Sequence, residues 1–197
     1  MKRTLYLGLA MVLTAFAFTV SVANAQKGDE DKPKVKDYKE ALKATGDLHK
    51  NIDNPDFYKD FELENTKTKK KAKLKDLSDF EKDIFYMVQA EMLTKQLAAL
   101  NHAWGKEKDA APERDKSAKK EDLAKDDRLP DKTDIEESLA KLVQLRKDHA
   151  AKFEKLAEDT LKKHAKQIPE KDAKLYLQQI REFHDRNKLI ERKKDSK

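Results

Sequence analysis

The segment 78–105, SDFEKDIFYMVQAEMLTKQLAALNHAWG, is apolar on more than one side at helical spacing. It holds the single Trp of the chain, Trp104, together with Met87, Met92, Phe80, Ile84, Phe85, Val88, Leu93, Leu97 and Leu100. A helix apolar on several sides must be covered on several sides, so the rest of the chain is expected to pack around this one. Its start reads as a capping box, with Ser78 placed to accept from the amide of Glu81 and Glu81 to reach back to the amide of Ser78. Gly105 is the expected stop.

The first 25 residues stand apart. Lys2 and Arg3 precede an apolar run from Leu5 to about Val20, and Ala23-Asn24-Ala25 follows as a small-x-small cleavage site. This pattern is that of a secretory signal peptide, and the run is shorter than the roughly 20 residues that span a bilayer. The expected mature chain is therefore exported, periplasmic or extracellular, without a transmembrane segment. The chain contains no cysteine, which excludes disulfides, thiol catalysis and zinc-thiolate centres, so stability has to come from packing.

Charged residues make up 42% of the sequence, and Gly accounts for only 4 of 197 positions. That balance favours long helices with charged outer faces over a turn-rich β architecture, so the expected fold is all-α. Without Lys2 and Arg3 the formal charge falls from +6 to +4. Acids and bases are interspersed rather than segregated, which is not the pattern of a nucleic-acid binder.

Taken in order, residues 26–34 are polar and Pro-interrupted and read as a disordered tail; the helical-bundle domain is expected over 35–197. Val35, Tyr38, Leu42, Thr45, His49 and Ile52 recur at helical spacing and predict a short N-terminal helix ending before Asn54-Pro55. Phe57, Tyr58, Phe61 and Leu63 form an aromatic knot. Residues 65–75 carry Lys67, Lys69, Lys70, Lys71, Lys73 and Lys75; the block reads as a solvated loop or, more sharply, as a contact for anionic headgroups or envelope polymers. Residues 106–132 form a long polar crossover with room for one short helix near 118–127, and a crossover of that length leaves the direction of the next helix open. Thr133 and Glu136 suggest a second capping box, opening a helix that runs to Ile168. Pro169 ends it and opens the last helix, which bears Ala173, Tyr176, Leu177, Ile180, Phe183, His184, Asn187 and Ile190 on one side. About four main helices result.

Three polar residues occupy apolar helical positions: Glu91, His149 and His184. Carboxylates and imidazoles projecting from facing helices are how bundle-core metal sites are made, so these are candidate ligands for a divalent metal. Against this, no Glu-x-x-His pair occurs, and a His on an apolar stripe commonly sits at the core edge with its polar tip in water. A tight hairpin about Pro169 would also set His184 level with Phe153 or Glu154 and His149 about 7 Å further along the axis. No nucleophile elbow, phosphate-binding glycine loop or His-Glu-x-x-His is present, so no catalytic or organic-cofactor residues are expected.

The spacing over 80–192 resembles an uncharacterised ferritin-like family of secreted bacterial proteins. The matching positions are Phe80, Glu91 and Leu97-Ala98, then Asp148-His149, then Tyr176-Leu177 with His184. The resemblance implies a four-helix bundle outside the cytoplasm and carries no established activity. Two functions are expected: a non-enzymatic module that binds an envelope protein or a second copy of itself, or a metal-binding or metal-sensing bundle using Glu91, His149 and His184.

Overall fold

The computed structural model describes residues 32–64 and 71–195, the side chains of Glu64 and of 186–195 excepted. The segment read as a signal peptide, residues 26–31 of the polar tail, and Lys67, Lys69 and Lys70 lie outside the described residues. Four main helices pack as a bundle: α1 (Val35–Lys50), α2 (Asp79–Ala110), α4 (Lys132–Lys163) and α5 (Glu170–Asp195). One turn of helix, α3 (Lys120–Leu123), lies in the crossover, and a small antiparallel hairpin joins β1 (Glu62–Glu64) to β2 (Lys71–Lys73).

Cross-helix contacts fix the directions that crossover length alone left open. Asp83 meets His164 at 2.7 Å and Lys108 meets Glu136 at 3.7 Å, so α2 and α4 are antiparallel. Tyr38 donates to Glu107 and the ring of His49 meets that of His149, which sets α1 parallel to α4. Arg181 reaches Glu154 at 2.5 Å and Glu158 at 2.6 Å, so α5 returns antiparallel along the second half of α4.

The two-sided apolar character of α2 has a direct structural cause. Met87, Ala90, Leu93, Leu97 and Trp104 face the main core, where they meet Tyr38, Ile52, Ile135, Leu142, Phe153, Ala157, Leu161 and Ile180. Phe85 and Tyr86 turn to another side and build a second cluster with Tyr58, Leu63 and Leu74. Tyr58 is its hub, with ring centroids 5.1 Å from Phe85 and 6.1 Å from Tyr86. The aromatic knot is thus a lid on α2, formed by a 3-10 turn at Pro55–Tyr58 and the hairpin.

Several expected boundaries move. The Ser78 capping box forms, with Glu81 N–H donating to Ser78 Oγ at 3.3 Å and Ser78 N–H donating to Glu81 Oε2 at 2.9 Å. Gly105 does not stop α2. It is buried within the helix, which runs on to Ala110; Ala111 is then extended (φ −74°, ψ 148°), as the residue before Pro112 must tend to be. The α4 cap is Asp131 rather than Thr133: Asp134 N–H donates to Asp131 Oδ1 at 3.0 Å and Asp131 N–H to Asp134 Oδ2 at 2.9 Å. At its other end α4 finishes at Lys163, not Ile168, because His164 turns across to Asp83 on α2. Residues 71–75, expected in a loop, instead supply β2 and the start of a 3-10 turn.

The polar crossover is a brace. Arg114 Nε donates to Asp131 at 2.8 Å, and Arg128 binds Asp134 through Nη1 at 2.6 Å and Nη2 at 2.7 Å while its Nε donates to the Leu123 carbonyl at 2.8 Å. The carbonyls of Arg128 and Asp126 accept the first amides of α1, from Val35 at 3.1 Å and Lys36 at 2.9 Å. Helix N-termini leave such amides without intrahelical partners, and here a segment far along the chain serves them.

Candidate functional site

His149 is 1% exposed on the inner face of α4. Its Nε2 lies 2.8 Å from the carbonyl oxygen of Ala90 on α2, which also accepts from the Thr94 hydroxyl at 2.9 Å. A carbonyl can only accept, so Nε2 carries the proton of the neutral ring and Nδ1 carries the lone pair. That lone pair faces Nδ1 of His49 on α1 at 3.3 Å, the two rings crossing at 83°. In the neutral pair His49 Nδ1–H therefore donates to His149 Nδ1.

Burial pushes the His149 imidazole down to about 4, the Ala90 carbonyl working against that and nearby His49, His184 and Lys152 adding to it. His49 is also held below its ordinary value, first by burial and then by Lys152, with Asp148 and Asp53 opposing. Lys152 is anchored beside the pair: its Nζ lies 2.8 Å from Asp53 and 3.2 Å from each of the His49 and Lys50 carbonyls. Both rings are accordingly neutral near pH 7.

The expected ligands Glu91, His149 and His184 are distributed differently. Glu91 binds Lys95 at 2.6 Å and accepts from the Tyr176 hydroxyl at 3.3 Å, at the seam of α2 and α5. His149 and His184 both touch Phe153, the first stacked on it and the second edge-on, each with ring centroids at 6.3 Å. His184 does lie level with Phe153, as the hairpin geometry requires. Among the described residues no group of three His, Asp or Glu side chains is gathered to hold a metal ion. Of the lysine block, Lys71, Lys73 and Lys75 are described; all are exposed, and Lys71 lies 3.5 Å from Glu62 across the hairpin.

Two polar contacts escaped the sequence. His49 stood on the apolar track of α1, but without the parallel arrangement of α1 and α4 nothing paired it with His149. His164 stood on the track of α4, where its Nε2 meets Asp83 at 2.7 Å beside Lys163 at 2.6 Å. Burial pushes the Asp83 carboxyl up, and these two partners outweigh it and hold it below its usual range.

No family model, curated protein or solved structure matches the chain. Its own geometry must therefore carry any statement about function.

Proposed function

We propose that this chain is an exported, non-enzymatic helical-bundle module that acts by binding another protein, either an envelope partner or a second copy of itself. The observation that carries the reading is the outer surface of α5, where Leu175 is 51% and Phe183 38% exposed. The side of α5 that bears Ala173, Tyr176, Leu177 and Ile180 packs on the main core. Leu175 stands on the side away from that contact, and Phe183 follows on the flank, about 80° further round the helix. Large apolar side chains held outward on a regular helix are a common basis for helix-mediated recognition.

The test is a photo-reactive side chain at Leu175 in the producing cell, combined with sedimentation of the purified protein. A discrete adduct or a dimer, lost on Phe183→Lys while the helical spectrum is kept, is the expected result. A monomer that yields no adduct would overturn the reading.

A further inference from the structure

We propose that the facing imidazoles of His49 and His149 form a binding site for a late first-row divalent cation, with both Nδ1 atoms as ligands and solvent filling the remaining positions. The site shares His149 with the Glu91, His149 and His184 set but uses neither Glu91 nor His184, and it does not depend on the protein-binding reading of α5.

Three independent features of the pair support this. The first is its bite: two imidazole nitrogens bound to one tetrahedral zinc at roughly 2.1 Å stand about 3.4 Å apart, and the Nδ1 atoms here stand 3.3 Å apart. The second is orientation. Metal-binding histidines almost always donate their other ring N–H to a carbonyl or carboxylate, which fixes the tautomer and aims the lone pair. His149 does this through Nε2 to Ala90, at 2.8 Å. The third is access: His149 closes the inner end of the pair, whereas His49 is only partly buried and opens it to solvent.

The surrounding charge is mixed. Asp53 and Asp148 favour a cation at His49, and Lys152 and Lys50 oppose it. With two protein ligands and a lysine nearby, binding is of moderate strength, and the order of affinity follows the general one for nitrogen sites, Cu2+ above Zn2+. Entry of the metal displaces the shared proton. His49 Nδ1–H becomes a ligand by moving its proton to Nε2 of the same ring, so two neutral histidines bind the ion with no net proton release at pH 7.5.

The experiment is calorimetric titration of the metal-free protein with ZnCl2 at pH 7.5 in two buffers of different ionisation enthalpy, followed by 15N spectra of the histidine rings. Expected are one ion per chain, a buffer-independent enthalpy, and shifts at Nδ1 of both His49 and His149. His49→Ala, a change at the half-buried ring, should weaken binding at least about tenfold, while Glu91→Gln and His184→Asn leave it unchanged. Absence of uptake, or uptake that His49→Ala leaves intact, would overturn the site; the latter would place the ion on other surface histidines.

Discussion

Arg128 grips Asp134 at both carboxylate oxygens, at 2.6 and 2.7 Å, with the Arg side chain 19% and the Asp side chain 13% exposed. Paired and largely shielded, this contact ties the end of the crossover to the first turn of α4. Arg128→Ala should cost about 2 kcal/mol, the range of hydrogen bonds to charged groups. Arg128→Lys should recover less than half, since an ammonium cannot span both oxygens. Urea midpoints of the two variants decide the matter, and equal midpoints would contradict the two-point grip.

Acid should weaken the fold through His149. The unfolded chain takes up this proton near 6.5 and the folded chain only near about 4. Between those values the unfolded state holds more protons, so stability is full above about pH 6.5, falls as pH drops, and levels off near 4. The ring is fully buried, and the total loss is on the order of 3 kcal/mol. His49, shifted the same way, adds to the slope. His149→Gln should flatten most of it in denaturation curves taken between pH 4 and 7.

Leu142 is fully buried in the main core and Phe57 is 45% exposed. Leu142→Ala should therefore cost about 2–5 kcal/mol, and Phe57→Ala no more than about 0.5 kcal/mol. Thermal midpoints of the pair provide a calibration of the core; a Phe57 effect as large as that of Leu142 would mean that the lid on α2 is packed differently.

The Tyr58 hydroxyl is buried and meets no hydrogen-bonding group among the described residues, and burial drives its ionisation far upward. Tyr58→Phe removes a desolvated polar group while keeping the ring contacts with Phe85 and Tyr86. The variant should be as stable as the parent or more stable by about 1 kcal/mol. A clear loss in midpoint would show that the hydroxyl has a partner after all.

The helices were legible in the sequence because each carries its own period and, at Ser78, its own cap. Apolar residues on more than one side of 78–105 called for cover on more than one side, and the main core and the Tyr58 cluster supply it. What the sequence hid were choices between competing local signals. Gly105 lost to Pro112 as the end of α2, because proline forces the residue before it out of the helix whereas a buried glycine costs about 1 kcal/mol. Thr133 lost to Asp131 as the cap of α4, because Asp131 is held by Arg114 from 17 residues away. The polar contacts of the candidate site were hidden for a similar reason. His149 was recognised, but its partner could be named only after α1 was known to run parallel to α4; His184 lies against Phe153, which itself stacks beside His149.

The first amides of α1 are served by carbonyls of residues 126 and 128, and Lys39 pairs with Asp126 across 87 positions of sequence. The cap of the opening helix is consequently a long-range contact, made by backbone about 90 residues further along the chain. The start of the first helix is thereby tied to a stretch that looked, by composition, like mere spacer.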